Sequence, residues 1–274
     1  MTDIFHLPFD QISLEVSVAV KAAVSAGDEV LKYYQNDYSD NIKQKGEPVT
    51  KADIESNKVI LSQLLELNIP VVSEESSDDG SRLESEKVWI VDPLDGTRDF
   101  IQKTDEFSVM IALVKKNIPV IGIVYQPVFK RLYVSCKNLG AYVFEEGEWK
   151  RLRVSHTATL DKARAVMSKM HLEKKEKDFL KKLGINSVVQ KGSTGLKIGE
   201  IAKGSADIYF TFTDKMKQWD TAAGFSIITE AGGKITNIYG SSLKYNTVRL
   251  HHDNGMLVTN GFLHSIFLKV KNNT

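Results

Sequence analysis

Cysteine is nearly absent from this chain: its 274 residues include one, Cys136. A lone cysteine cannot form an intrachain disulfide, which is typical of a protein in a reducing compartment. An excess of either charge is also lacking, because 36 basic side chains balance 35 acidic ones and the net charge is +1. This balance argues against partners such as a nucleic-acid polymer or an anionic membrane surface, which select basic proteins.

The sequence also lacks a long hydrophobic run. The most apolar region, residues 107–125, is interrupted by Lys115, Lys116 and Asn117, so it is too short to span a bilayer. The first residues lack the basic start and apolar stretch of a secretory signal. We therefore expect a cytoplasmic protein with no integral membrane segment, while peripheral association with the inner membrane stays open.

Several catalytic motifs are missing as well. There is no P-loop and no Gly-x-Gly-x-x-Gly pattern. A cysteine phosphatase needs an arginine six positions after its cysteine, where this chain has Tyr142. A haloacid-type phosphatase needs acids two apart, but Asp92 and Asp95 are three apart. No histidines have zinc-ligand spacing, and we interpret His251 and His252 as surface loop residues.

The hydrophobic pattern predicts helices and then strands in the first part of the chain. Apolar residues at three- and four-residue steps predict a helix over 10–36, capped by Asp10, and another over 51–67, capped by Thr50. Residues 38–48 are polar and predict a loop or lid. Short β-rich runs then predict mostly antiparallel strands over 69–73, 88–91, 107–115, 118–125, 131–136 and 141–144.

From about residue 155 the pattern changes to alternating strands and helices. Strands are predicted over 163–168, 187–190, 206–212, 234–237 and 256–259, and helices over 171–183, 195–203, 219–231 and 262–271. Such alternation favours an α/β layer. We predict an α/β protein with an α+β N-terminal part: a metal-binding subdomain, 1–154, a substrate-side subdomain, 155–274, and the site between them.

The segment Asp92–Thr97 follows the apolar strand Val88–Val91 and carries two acids, a proline between them, and then Gly96. Magnesium prefers hard oxygen ligands, and two nearby carboxylates can hold neighbouring ions. Pro93 restricts the backbone, so the Leu94 carbonyl is a further candidate ligand. Gly96 lets the main chain approach a phosphate, and a helix opening after it would present N–H groups. An ordinary acidic turn at a strand end is the alternative.

Other acids have comparable positions, each with a plainer interpretation. Glu74 and Glu75 follow a predicted strand but also begin an acidic loop. Asp53 lies in the first turn of a predicted helix, where negative charge is favourable anyway. Asp220 precedes a helix and is a natural N-cap. The segment Gly192–Lys197 precedes another helix and is either a phosphate-binding turn or a flexible one.

Taken together and in order, four segments resemble the motifs of the magnesium-dependent, lithium-sensitive phosphatase superfamily of inositol monophosphatase. The segments are Pro48–Asp53, Ser73–Ser76, Trp89–Thr97 and Trp219–Gly224, the last followed by Glu230–Gly233. The resemblance covers most of the chain and implies the layered α-β-α-β-α sugar-phosphatase fold.

Within the superfamily, the chain most resembles the bacterial 3′(2′),5′-bisphosphate nucleotidases. Asp95–Ile101 is similar to their charged extension ending in Phe-Ile. Two departures are visible: Asp105 stands where that group tends to have glycine before Glu-Phe, and Gly192–Lys197 has one residue more than their Gly-Ser-Ser-Leu-Lys segment. The second departure weakens the assignment of nucleotide contacts to Ser193 and Lys197.

The resemblance implies roles for individual residues. Glu74, Asp92 and the Leu94 carbonyl would hold one magnesium ion, and Asp92, Asp95 and Asp220 a second, with a third near Asp53 and Glu74. Thr97, with Asp53 or Glu74, would orient the attacking water and accept its proton. Some of these residues are also implied to contact the substrate. The full set of implied substrate contacts is Glu74, Leu94, Asp95, Gly96, Thr97, Ser168, Lys169, Ser193, Lys197 and Asp220.

The expected activity is hydrolysis of adenosine 3′,5′-bisphosphate to AMP and phosphate by a magnesium-dependent phosphomonoesterase. An inositol-1-monophosphatase or a related sugar phosphatase is the alternative within the class. A non-catalytic nucleotide-binding regulator is the alternative from another class. The expected partner is a small phosphorylated molecule, and either a monomer or a homodimer is compatible with the sequence.

Overall fold

Helices and strands pack in layers in a computed structural model that describes residues 3–35, 41–44 and 47–273. Within these residues the helices are α1 (Leu14–Gln35), α2 (Lys51–Leu64), α3 (Thr97–Ile101), α4 (Lys174–Leu183), α5 (Thr194–Ala202), α6 (Trp219–Glu230) and α7 (His264–Asn272). The strands are β1 (Asn41–Gln44), β2 (Glu47–Thr50), β3 (Val71–Ser73), β4 (Lys87–Asp95), β5 (Ser108–Lys115), β6 (Ile118–Gln126), β7 (Arg131–Cys136), β8 (Gly140–Glu145), β9 (Glu148–Arg151), β10 (Arg164–Ser168), β11 (Ser187–Lys191), β12 (Ile208–Thr211), β13 (Lys234–Thr236) and β14 (Met256–Thr259).

The larger sheet contains β3 to β9 in chain order. β3 and β4 run parallel, and every later neighbour is antiparallel. The antiparallel meander predicted for this part of the chain is therefore confirmed, with β9 as an additional edge strand that the sequence pattern did not predict.

Strand β4 has two buried faces. Trp89 and Val91 pack in a core with α1 and α2, whereas Val88 and Ile90 pack in a second core with α5, α6 and the smaller sheet. Successive residues of a strand point to opposite faces, so an almost wholly apolar strand needs apolar partners on both sides. This places α1 and α2 outside the larger sheet and α5 and α6 between the two sheets.

The smaller sheet has the strand order β11-β10-β12-β14-β13. β10 runs parallel to both neighbours, and β14 runs antiparallel to β12 and β13. On one face Phe210 contacts Phe179 of α4 and Phe267 of α7. Its neighbour Tyr209 faces Lys197 of α5 on the other side. The layers thus alternate as α-β-α-β-α, which confirms the layered α/β fold.

Some local predictions are wrong. The cap of α1 is Ser13, whose hydroxyl accepts a hydrogen bond from the Val16 amide at 3.4 Å, rather than Asp10. His252 is buried beside Thr221 at 2.8 Å instead of lying on the surface, although His251 is exposed as expected. Of the predicted loop 38–48, residues 41–44 pair with 47–50 as antiparallel strands, and residues 38–40, 45 and 46 lie outside the described residues.

The capping role predicted for Thr50 is confirmed: Thr50 is the N-cap of α2 and forms a capping box with Asp53, in which the Thr50 amide donates to the Asp53 carboxylate at 2.8 Å. The α-helix ends at Leu64 and continues as a short 3₁₀ turn over Leu65–Leu67. Throughout the described ranges, every helix is too short or too polar to cross a membrane. The division at residue 155 stays a prediction.

Candidate active site

Two parallel strands bring the first two acidic motifs together. Ser73 at the end of β3 is paired with Val91 of β4, and the Glu74 amide donates to the Val91 carbonyl at 3.2 Å. β3 runs parallel to β4 and ends beside Val91, so Glu74, which follows β3, lies next to Asp92 within β4. The convergence predicted for these acids follows from this pairing.

The Asp92–Thr97 turn is fixed by its own backbone. The ladder between β4 and β5 shifts between Asp92 and Asp95, which bends the strand at this point. The Leu94 amide donates to Asp92 Oδ1 at 3.0 Å, and the Ser56 hydroxyl holds the Pro93 carbonyl at 2.7 Å. Gly96 has φ of +95°, a conformation that favours glycine, and α3 begins directly after it.

Asp53 joins this turn from the first turn of α2. Its Oδ2 accepts hydrogen bonds from the Thr50 amide at 2.8 Å and the Thr50 hydroxyl at 2.5 Å. Its Oδ1 accepts one from the Thr97 hydroxyl, whose oxygen also lies 3.2 Å from the Leu94 carbonyl. Burial raises the pKa of the Asp53 carboxyl above its usual value.

Asp220 approaches from the first turn of α6, where its Oδ2 accepts the Lys217 amide at 2.7 Å. Asp92 is buried, and its pKa is raised well above the ordinary value, first by burial and then by the charges of Glu74, Asp95 and Asp220. Carboxylates that raise one another's pKa in this way lie in mutual electrostatic range. The fold therefore gathers the acids of all four motifs at one site.

This donor set suits a hard divalent cation. Burial also raises the pKa of Asp95, and the charge that opposes this effect most is the buried Lys197 ammonium. One lysine does not balance four neighbouring carboxylates, and carboxylate oxygens are the ligands that Mg²⁺ prefers. Along residues 3–35, 41–44 and 47–273, no three His, Cys, Asp or Glu side chains already form a metal-binding group. Asp95 Oδ2 accepts hydrogen bonds from the Ser193 hydroxyl and the Gly195 amide, at 2.5 and 2.9 Å.

The residues predicted to contact a nucleotide divide into two groups. Ser193 and Lys197 are buried, and the Lys197 ammonium donates to the Ser193 carbonyl at 2.9 Å. Their position beside Asp95 favours a role in holding that carboxylate; direct substrate contact stays a prediction. Ser168 and Lys169 lie at the end of β10, where the exposed Lys169 ammonium contacts Glu106 at 2.7 Å.

Three polar residues of this site escaped the sequence analysis. The Ser108 hydroxyl contacts the Ser193 hydroxyl at 2.9 Å in the buried interior. Glu106 accepts the Gly192 amide at 3.0 Å, and Asp99 is buried against the same loop and accepts the Thr104 hydroxyl. Their partners are distant in sequence or have no distinctive spacing, so no periodic pattern marks them.

Glu75 is a further acid at the site. Its pKa is raised to about 7 by burial and by the charge of Asp53, and Lys217 opposes the shift. A separate open pocket of about 170 Å³ lies at the β10–β11 edge, lined by residues such as Val189, Lys191 and Glu200. None of the predicted site residues lines it, so it is separate from the candidate active site.

Comparison with known proteins identifies the class. The profile of the Inositol monophosphatase family matches residues 13–270, and the chain belongs to this family. The family resemblance predicted from the four motifs is confirmed.

The chain is also similar to individual members. It is 35% identical over 244 residues to "3′(2′),5′-bisphosphate nucleotidase CysQ" of Salmonella typhimurium strain LT2, covering 86% of this chain and 96% of that protein. It is 34% identical over 228 residues to the CysQ of Escherichia coli strain K12, covering 81% and 90%.

Solved structures agree with the fold. The crystal structure of CysQ from Bacteroides thetaiotaomicron, a bacterial member of the inositol monophosphatase family, superimposes with a TM-score of 0.78 at 31% identity, covering 91% of this chain and 98% of that one. Inositol monophosphatase from Anabaena sp. PCC 7120 superimposes with a TM-score of 0.77 at 27% identity, covering 94% and 95%.

Proposed function

We propose that this chain is a magnesium-dependent phosphomonoesterase that hydrolyses 3′(2′),5′-bisphosphate nucleotides, with adenosine 3′,5′-bisphosphate giving AMP and phosphate. The observation that carries the chemistry is the gathering of Glu74, Asp95 and Asp220 around the buried Asp92, next to the Thr97–Asp53 pair. The similarity to CysQ nucleotidases over most of the chain supports the nucleotide as substrate.

In this proposal Glu74, Asp92 and the Leu94 carbonyl would hold one Mg²⁺, and Asp92, Asp95 and Asp220 would hold a second. A third ion would lie near Asp53 and Glu74. Bound Mg²⁺ supplies positive charge that polarises the phosphate and makes water a better nucleophile.

The protein's own groups orient the attack. The Thr97 hydroxyl has one proton, which it donates to Asp53 Oδ1. Its oxygen therefore keeps lone pairs that can accept a hydrogen bond from the attacking water. Asp53 or Glu74 then accepts the proton of that water, and the raised pKa of Asp53 strengthens it as a base. The Gly96 and Thr97 amides bind the phosphate, and Asp220 lies beside the leaving sugar hydroxyl.

The second phosphate of the substrate is assigned to the side of the site that carries Ser168 and Lys169. Lys169 is exposed and basic, so it can approach an anion without losing all of its hydration. Ser193 and Lys197 contribute on the same side, although their burial favours an indirect effect through Asp95.

A substrate profile tests the proposal. Phosphate release is measured from adenosine 3′,5′-bisphosphate, inositol 1-phosphate and a sugar phosphate at equal concentration with Mg²⁺, and then with added Li⁺. We expect the bisphosphate to be preferred, lithium to inhibit, and omission of Mg²⁺ to stop the reaction. A strong preference for inositol phosphate would replace the nucleotide assignment with the family's other activity.

The non-catalytic regulator is the competing function, and turnover of any of these substrates counts against it. The cytoplasmic location, for which the lone Cys136 is one argument, stays a prediction. So does the oligomeric state, monomer or homodimer.

A further inference from the structure

We propose that Glu106 is a positioning residue that sets substrate specificity, because its carboxylate fixes Lys169 and the Gly192 turn in one arrangement. The identity of the substrate rests on the proposed function. Glu106 does not contact the substrate itself; it acts through Lys169 and the Gly192 turn.

One oxygen of Glu106 joins two elements of the smaller-sheet side. Glu106 Oε2 accepts the Lys169 ammonium at 2.7 Å and the Gly192 amide at 3.0 Å. The Glu106 side chain is 20% exposed and is held by the Gly192 amide, whereas the Lys169 side chain, 35% exposed, reaches it from the surface. A charge-assisted bond to a carboxylate that is already held in place limits the positions of the lysine ammonium.

The direction of Glu106 is set by the residue before it. Asp105 has φ of +64°, in the left-handed region that non-glycine residues rarely adopt. Three contacts hold this conformation: Asp105 Oδ1 accepts the Tyr34 hydroxyl at 2.7 Å, the Asp105 amide donates to that hydroxyl at 3.1 Å, and its carbonyl accepts the Gln126 side chain at 2.9 Å. The aspartate that replaces the expected glycine thus turns the chain so that Glu106 faces Gly192.

The Gly192 turn is seated tightly. A Cβ atom at this position would lie 2.4 Å from Asp99 Cγ, so only glycine fits without movement. The next residues supply the Ser193 hydroxyl and the Gly195 amide to Asp95. Glu106 therefore contacts both the lysine assigned to the second phosphate and the turn that holds a catalytic-site carboxylate.

A double-mutant cycle separates this role from a general effect of charge. The variants are Glu106→Gln, Lys169→Gln and the double variant, with Glu86→Gln as a control that removes an equally charged partner of Lys115 on the surface. For adenosine 3′,5′-bisphosphate, we expect either single variant to raise KM about tenfold with kcat nearly unchanged, and the double variant to match the singles. KM for adenosine 3′-monophosphate should not change. Effects that add in the double variant, or equal effects on both substrates, would overturn the inference.

Amide hydrogen exchange provides a readout independent of turnover. Glu106→Ala should speed exchange at the Gly192 and Gly195 amides by about tenfold, because Glu106 no longer anchors the turn. Glu106→Gln, whose amide oxygen can still accept the Gly192 bond, should restore most of the protection. Unchanged exchange in Glu106→Ala would refute the anchoring role. If the wild-type protein releases no phosphate from the bisphosphate, the proposed function fails, and the exchange result alone decides the role of Glu106.

Discussion

The hydroxyl of Thr97 donates a hydrogen bond to the carboxylate of Asp53 at 3.1 Å, across 44 residues of sequence. Thr97 begins α3 after the acidic turn, and Asp53 lies in the first turn of α2. The contact joins two motifs that belong to different helices. The Leu94 carbonyl, at 3.2 Å, is a second acceptor for the same hydroxyl, so the proton points to this side and the oxygen keeps lone pairs on the other.

Removing this hydroxyl should slow the chemical step. Thr97→Val keeps the shape of the side chain but loses the donor to Asp53, and we expect kcat to fall about 100-fold with a small change in KM. Thr97→Ser retains the hydroxyl and should keep activity within about tenfold of wild type. Steady-state kinetics on the preferred substrate measure both, and a Val variant as active as the Ser variant would contradict the assigned role.

Neutralising Asp95 should abolish turnover. Asp95→Asn keeps a side chain of similar size beside Ser193 but removes a proposed metal ligand, so we expect kcat to fall by about 1,000-fold or more. Asp79→Asn in the exposed acidic loop is the matched control and should have wild-type activity. Thermal melting checks that both variants fold. A cellular effect that survives Asp95→Asn would support the non-catalytic regulator instead.

A methyl group at Gly192 should strain the site. Gly192→Ala places Cβ against the Asp99 carboxyl, and overpacking of this kind costs about 1–3 kcal/mol of unfolding free energy. In an Asp99→Ala background the same change should cost less, because the obstructing group is gone. Denaturant unfolding of both pairs measures the difference.

Acid should destabilise the protein through two buried histidines. Burial lowers the pKa of His252 and of His264 to about 4, whereas the unfolded chain has histidine pKa values near 6.5. Between these values the unfolded chain binds more protons, so this stability is fully present above about pH 6.5 and is lost as the pH falls toward 4.

The variant His252→Gln tests this linkage. Between about pH 4 and 6.5, unfolding of the variant should take up about one proton fewer than unfolding of the wild type. Its unfolding free energy should therefore fall less steeply as the pH is lowered. The exposed neighbour His251→Gln should leave the slope unchanged. Equal slopes in all three proteins would mean that His252 also titrates normally in the folded state.

Local pattern predicted much of the fold. β7 and β14 begin and end where the alternation of apolar residues indicates. What the pattern lacked was the pairing: β10 lies between β11 and β12, and β14 lies between β12 and β13, because side-chain packing between distant segments fixes strand order. The buried His252 escaped for the same reason, since its partner Thr221 belongs to α6.

In the candidate site, too, some residues were marked by the local sequence and others depend on contacts between distant segments. Asp53, Glu74, Asp92 and Asp220 each had a plainer interpretation alone, and the order of the four motifs singled them out as site residues. The contact of Ser193 with Asp95 was not predictable, because it joins residues 98 positions apart that share no pattern. The residue types of Ser193 and Lys197 suggested contact with a phosphate, which stays a prediction. The structure adds that both residues lie beside the Asp95 carboxylate.

The two-sided burial of β4 limits how this protein can diverge. One inserted or deleted residue inside Lys87–Asp95 would send Trp89 and Ile90 to each other's cores and reverse the faces of every later residue in the strand. Changes in chain length should therefore be excluded from this strand among functional relatives. They should accumulate instead at the exposed residues 77–79, where added residues can extend into solvent and leave the Asp92–Thr97 turn in register.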